Sequence, residues 1–454
     1  MIGRRSLLAG LTGLGAAAAL GGCRPDPAPS PSPTASTSPS ASPSARTSGT
    51  VEFWVDEGHF SADWTAGLEE RLQRAKVPVD VQTTAQPAAT LQERMGGPEA
   101  PTLLLDGGPD MLGAGQYAKG LTDLRGITQQ QLPDAEGQSL ASQLRPEALR
   151  AGTTGGRLVR LPWVHVVHGL WYSESLFQAQ GWTPPTTWED LIALGDQAQQ
   201  QGKHLFAWGR DNATACLRMV LASAIKQGGD EVRLDLDGYR PRAWQHPAIR
   251  EALEALHTVI KAGHVRPGGS QRSWQQVLPE WSKKQSVLFA PAGSWIIGQA
   301  DVDDSFEISV VPDPGLDATS ALPATALHAG PELSFMAPAG VPGSAHLSEV
   351  LLAAFSREVA ADFAQTHQVL MTRTDAQASS PGPALRRQQE LLEAAGEHVF
   401  HWQFIDQAGA NHDHQALWNA FLSDQLGIDT LLQESQRISD LVAADPRQAR
   451  HRVG

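Results

Sequence analysis

Apolar and polar positions along this chain repeat with two different periods, and one long stretch follows neither. Residues 161–172 (LPWVHVVHGLWY) are apolar or β-branched at nearly every position, with no helical repeat. That pattern predicts a strand buried on both faces, within a sheet covered by helices. Behind it, residues 175–180 read as a short helix that Gly181 stops, and a Pro184-Pro185 turn feeds a second helix. Thr187 is placed to cap that helix, with Glu189 and Asp190 at the positive end of its first turn.

Nearer the N-terminus, residues 51–55, 77–83 and 101–105 read as strands, separated by a helix reaching about Lys76 and another over 90–95. The β-α-β-α order predicts a parallel α/β domain, in which ligands bind beyond the carboxyl ends of the strands. Asp56, Glu57, Asp106 and Asp110 then share one rim. Solvated loops are acidic as well, so these residues fit either a ligand or water. Gly107-Gly108 would let a ligand approach the backbone, but no P-loop Lys-Ser/Thr follows, which excludes nucleotide binding. Further strands are expected over 205–208, 287–289, 308–311 and 332–337. Helices are expected over 129–153, 247–262, 274–284, 347–365, 384–396, 416–426 and 429–443. Ile249, Leu253, Leu256, Val259 and Ile260 form one apolar stripe, which is packing.

With 454 residues there is room for two domains or more, and 41% hydrophobic content supports a sizeable core. The balance of 49 acidic against 35 basic residues gives −14, with no basic block, which excludes nucleic acid and anionic lipid surfaces as partners. The two cysteines, Cys23 and Cys216, cannot build a disulfide framework or a cysteine zinc site. Cys23 closes an N-terminal segment, residues 1–23, with Arg4-Arg5 followed by small apolar residues and Leu20-Gly21-Gly22-Cys23. This looks like a lipoprotein signal with a twin-arginine-like start, whose Cys23 would be lipidated. An ordinary signal peptide or an uncleaved anchor is the alternative, although the apolar run is short for a spanning helix. Residues 24–50 are Pro, Ser, Ala and Thr, a solvated tether with nothing to fill a core.

No Gly-x-Ser-x-Gly elbow and no His-Glu-x-x-His is present. Glycosidase carboxylates have no short signature, so the rim acids leave a glycan-active enzyme open. His412 and His414 stand two apart on what reads as an extended segment and lack a third ligand, so neither metal nor cofactor is expected. Tryptophan is abundant, 13 against 3 tyrosines. Trp163, Trp208, Trp295 and Trp402 fall at strand ends or loops, which suits stacking on sugar rings. Trp54, Trp171, Trp188, Trp244, Trp274 and Trp418 read as core.

Two motifs carry a resemblance. The strand ending in Tyr172-Ser173, the short helix, Gly181, the proline pair and Thr-Trp-Glu-Asp-Leu at 187–191 are similar to the central signature of the family-1 extracellular solute-binding proteins, the carbohydrate receptors of ABC importers. QSVLFAPAGSWI at 285–296 resembles the same family's strand followed by Gly-Ser-Trp. The likeness covers roughly residue 51 to the C-terminus. It implies an α/β, two-lobed periplasmic-binding-protein-like fold with hinge crossovers at 121–124 and 308–314 and a ligand cleft between lobes. The N-terminal lobe would comprise 51–125 plus 312–375, and the C-terminal lobe 126–311 plus 376–454. Trp295 would be the stacking platform for a sugar ring. Arg210, Asp211 and Asn212 would face the cleft, where charged donors and acceptors bind hydroxyls strongly, although Asp211 could equally cap a helix. Trp402 and His414 fall where relatives place a second cleft aromatic. Strand alternation puts Trp163 and His165 on one side and His168 on the other; either histidine could donate to a hydroxyl or sit buried and satisfied. Maltodextrin-binding members hold a carboxylate at the position of Val166, which argues against a maltodextrin here. The FAPAGSW run and the Trp/His-rich C-terminal region are more like the N-acetylglucosamine and diacetylchitobiose receptors. The resemblance thus implies a lipid-anchored monomer that captures a saccharide by closing its cleft and delivers it to an ABC permease, with no reaction on the ligand. A receptor for a non-sugar solute is the other reading.

Overall fold

Three parallel strands open the fold, as the β-α-β-α pattern requires. In this computed structural model, which describes residues 49–450 except Pro109 and Ala318, β1 (Val51–Asp56) pairs in parallel with β2 (Val79–Thr84) and β3 (Leu103–Asp106). The expected signal, Cys23 and most of the tether lie outside the described residues. Among the described residues, no helix is long and apolar enough to cross a membrane.

The long apolar stretch is a single strand, β4 (Leu161–Ser173), buried at every one of its 13 positions. Both faces are apolar because each enters a hydrophobic cluster, Leu170 and Tyr172 one and Val167 and Trp171 another. After it come β5 (His204–Phe206), β6 (Val287–Gly293), β7 (Ile308–Val311) and β8 (Leu327–Met336). Residues 161–167 of β4 pair antiparallel with β8, which pairs in turn with β3. Residues 168–173 pair with β6 and β7 instead, and β6 pairs with β5. One mixed sheet therefore runs β2-β1-β3-β8-β4-β6-β5. Trp163, Val164 and Val166 pack into the hydrophobic cluster of β1 and β3, whereas Leu170 and Tyr172 pack into the cluster of β5 and its helices. Each large side chain so buried is worth about 1.5–3 kcal/mol. The strand is held at both ends by separate cores.

The local signals around β4 take the form the sequence predicts. Thr187 Oγ1 accepts from the Asp190 amide at 3.1 Å, and Asp190 Oδ2 accepts from the Thr187 amide at 3.1 Å, a reciprocal cap on helix Trp188–Gln200. Gly181, at φ 67°, takes the left-handed turn that ends helix Glu174–Gln180.

Elsewhere the structure departs from the pattern. Residues 129–153 are not one helix but a small hairpin (Gln131–Leu132 with Ala135–Ser139) and two short helices, Leu140–Gln143 and Pro146–Ala151. Leu124, Ile127, Leu140 and Leu144 still pack in the cluster of β1 and β3. Residues 347–365 divide into helices Leu347–Ala354 and Arg357–His367, because Ser356 turns out of helix and accepts from the Val359 amide at 3.4 Å. His412 and His414 stand on helix Asn411–Leu422, not on an extended segment.

Candidate ligand site

The ends of β1, β3 and β6 and the middle of β4, at His168 and Gly169, converge on a cavity of about 170 Å³, beyond the carboxyl ends of β1 and β3, where such sheets bind ligands. Its centre is Trp295. β6 ends at Gly293, Ser294 is buried, and the chain then folds the indole back over its own strand. A Cβ on Gly293 would sit 2.1 Å from the indole Cζ3, so the Gly-Ser-Trp run needs its glycine for space. His168, opposite Gly293 in the register, meets the indole edge-on with ring centres 5.2 Å apart at 78°. His59, from the loop after β1, lies flat on the indole, 4.0 Å away and within 5° of parallel.

Polar contacts run around the wall. Asp56 Oδ1 accepts from the Gly58 amide at 2.7 Å, fixing the loop that carries His59. The Gly58 carbonyl accepts from Gln299 Nε2 at 3.1 Å. Gln299 Oε1 accepts from the Trp274 indole N–H at 3.3 Å, and the Trp274 amide donates to Asp211 Oδ1 at 2.6 Å. Across the cavity, helix Thr214–Gly228 presents Arg218. Its Nη2 donates to Asp406 Oδ1 at 3.2 Å, and its guanidinium lies 4.9 Å over the Trp402 ring.

Behind the cavity, Glu332 on β8 lies 2.6 Å from His168 Nε2 and 3.5 Å from His401 Nε2. Burial alone would raise its carboxyl, but His168 and His401 hold it well below the usual range. Burial pushes the His168 imidazole down against the pull of Glu332. It takes His59 down to about 3, with Glu332 opposing and Arg218 and His168 adding to the fall. Burial raises Asp313, also in the wall, to about 6 despite Lys226. The cavity therefore offers imidazoles and two indole planes, and Arg218 and Glu332 each have a charged or ionisable partner. Among the described residues, no group of three or more His, Cys, Asp or Glu is placed to hold a metal ion.

Residues 68–385 match the family model described as bacterial extracellular solute-binding protein. Over 407 residues the chain is 33% identical to the diacetylchitobiose binding protein NgcE of Streptomyces coelicolor, a match covering 88% of this chain and 86% of that one. This chain belongs to the bacterial extracellular solute-binding proteins. Solved structures agree on the fold. A chitin oligosaccharide binding protein superposes with a TM-score of 0.69 at 16% identity, covering 86% of this chain and 98% of that one. The solute receptor AcbH, with its preference for β-D-galactopyranose, gives 0.71 at 16% identity, covering 87% and 99%. The mixed α/β architecture is the two-lobed one of this family.

Among the residues singled out in sequence, this solute-binding protein brings Trp295, His168, Asp211 and Asn212 to the cavity wall. Asn212 also ties its loop, accepting from the Gly209 amide at 2.7 Å. Asp56 and Asp106 are buried just beneath and support loops. Burial lifts Asp56 to about 7 against its Gly58 bond, with Asp110 adding repulsion. Asp106 accepts from the Leu112 amide at 3.2 Å, and burial followed by the charge of Asp56 raises it well above the usual range. Asp110 accepts from the Ala89 amide at 3.1 Å, and Glu57 is exposed beside Ser61 and Asp63, both away from the cavity wall. Trp163 is wholly buried against Trp64 and Phe363, and His165 lies buried on the opposite side of β4 from His168. Arg210 points to solvent while its carbonyl accepts from Gln415 and Asn419. Trp402 is buried under Arg218, and His414 is buried beside Trp244.

Trp274, read as core, packs against a hydrophobic cluster and lines the cavity as well. The sequence places it at the start of a helix, which the structure caps with Ser273 and Gln276, but does not give the direction it faces. His59, Arg218 and Gln299 also line the cavity, without a signal in the sequence. His59 follows a strand end and Arg218 sits inside an apolar helix, and neither pattern marks a site.

Proposed function

We propose that the chain is the extracytoplasmic receptor of a carbohydrate ABC importer, and that its ligand is a short N-acetylglucosamine oligosaccharide of the diacetylchitobiose type. The observation that carries a saccharide is the pairing of the Trp274 and Trp295 indoles in one cavity with Asp211, Asn212, Gln275, Gln299 and Arg218 around them. Indoles offer flat apolar faces to the C–H face of a pyranose, and side-chain amides and charges satisfy hydroxyls at its edge. The 33% identity with the diacetylchitobiose binding protein narrows the class.

In this reading the protein is a monomer tethered through lipidated Cys23, and residues from both halves close on the sugar. Contacts available only in the closed form shift the population toward it. A permease then recognises the closed form, and no bond in the ligand is broken. The test is a titration of the full chain with N,N′-diacetylchitobiose, N-acetylglucosamine, cellobiose, maltose and galactose, read by calorimetry and thermal shift. Micromolar or tighter binding of diacetylchitobiose, with no product formed, is expected. A melting temperature that no saccharide moves would reject the reading.

A further inference from the structure

The ring over Trp295 comes from the protein itself. His59 lies within 5° of parallel to the indole at 4.0 Å, the separation at which a sugar ring would stack. The benzo ring is backed by Gly293, and His168 stands against its edge. A pyranose stacking on the same face needs the volume the imidazole fills. Resting on the saccharide reading above, we propose that His59 sets the affinity and selectivity of the site by competing with the ligand: in the empty protein it occupies the Trp295 face, and binding exchanges the imidazole for a sugar ring.

Three features suit His59 to such an exchange. The residue belongs to no helix or strand, so moving it breaks no ladder. Its neighbours on both sides are fixed. Gly58 is held by Asp56 and Gln299, and Phe60 is buried against Phe363 with ring centres 5.3 Å apart. The side chain can therefore swing while the loop stays in place. Meanwhile Trp274 remains as a second indole in the wall, able to take a first ring before the exchange completes. A ligand that contacts Trp295 less well than imidazole does would leave His59 where it is, which is how the competitor discriminates.

The experiment is a ligand series on two variants of the full chain. His59→Ala removes the competitor and should bind diacetylchitobiose about two- to tenfold more tightly, the worth of one aromatic pair. His59→Phe keeps a flat ring, gains a stronger stacking partner and should bind more weakly than wild type. In proton spectra of the ligand-free protein, an imidazole C–H signal missing from both variants should be shifted upfield by the indole, and saccharide should remove that shift. Wild type that binds diacetylchitobiose while His59→Ala binds equally or more weakly overturns the exchange and leaves the saccharide reading standing. An upfield signal unchanged by bound sugar also overturns it. Wild type that ignores every saccharide rejects both.

Discussion

Gly293→Ala isolates the placement of the Trp295 indole, the platform proposed for a sugar ring, in one methyl group. The residue ends β6 in an ordinary backbone conformation, so alanine brings no backbone strain, only volume. That Cβ would fall 2.1 Å from Cζ3, and 2.5 Å from Cε3 and Cζ2's neighbour Cη2, of the Trp295 indole. Comfortable carbon–carbon separation is ~3.5 Å, so the ring must withdraw by more than about 1 Å. Its withdrawal breaks the contacts it now makes, since His59 lies on a face at 4.0 Å and His168 stands against an edge at 5.2 Å. Overpacking of this kind costs roughly 1–3 kcal/mol, and a displacement of that size in a positioned contact is worth roughly tenfold or more in binding. We expect Gly293→Ala to fold with a lowered denaturation midpoint and unchanged m-value, and to lose at least about tenfold in saccharide affinity by calorimetry. Wild-type affinity in the variant would show that the indole is not held where its partners put it, and the platform argument would fail.

Three other outcomes follow from the same contacts. Trp274→Ala should weaken saccharide binding by roughly tenfold, with some loss of stability because the other side of the indole packs on a hydrophobic cluster; a stability loss with wild-type binding would make it core alone. Trp163→Ala should do the reverse, losing about 3–5 kcal/mol of stability in denaturant while the folded fraction binds sugar normally, because Trp163 is wholly buried among Trp64, Phe335 and Phe363. Asp56 is raised by burial from 3.8 to about 7, so the advantage of its neutral form is complete below 3.8 and lost as pH rises through about 7. Asp56→Asn, which cannot ionise, should gain stability relative to wild type across that interval, by at most about 1.4 kcal/mol per pH unit; a stability difference independent of pH between 5 and 8 would contradict this.

The sequence discloses local structure better than long-range pairing. The Thr187–Asp190 cap and the Gly181 stop depend on a few adjacent residues, and they form as written. The run at 161–172 announces burial on both faces, but a pattern of apolar residues does not say which strands pair with its edges. That β4 serves two sets of neighbours could not be read from it. The site divides in the same way. His165 and His168 fall on opposite sides because strand alternation is strict. Trp163 is wholly core, and Trp274 shows the cavity a side as well as packing on a hydrophobic cluster; a pattern cannot separate the two because the difference lies in which partners cover them. His59 carries no local mark at all, since its role depends on a ring more than two hundred residues away.

The double allegiance of β4 also decides how the molecule can be taken apart. A cut placed to separate the halves would leave one of them with residues 161–167 and the other with 168–173, each stripped of its continuation. The severed pieces would expose unpaired amides and carbonyls on apolar strand ends, the kind of edge that recruits other chains. Neither fragment is therefore expected to stay in solution alone, and a split version of this receptor would work only if its two parts were made together and reassembled across that strand.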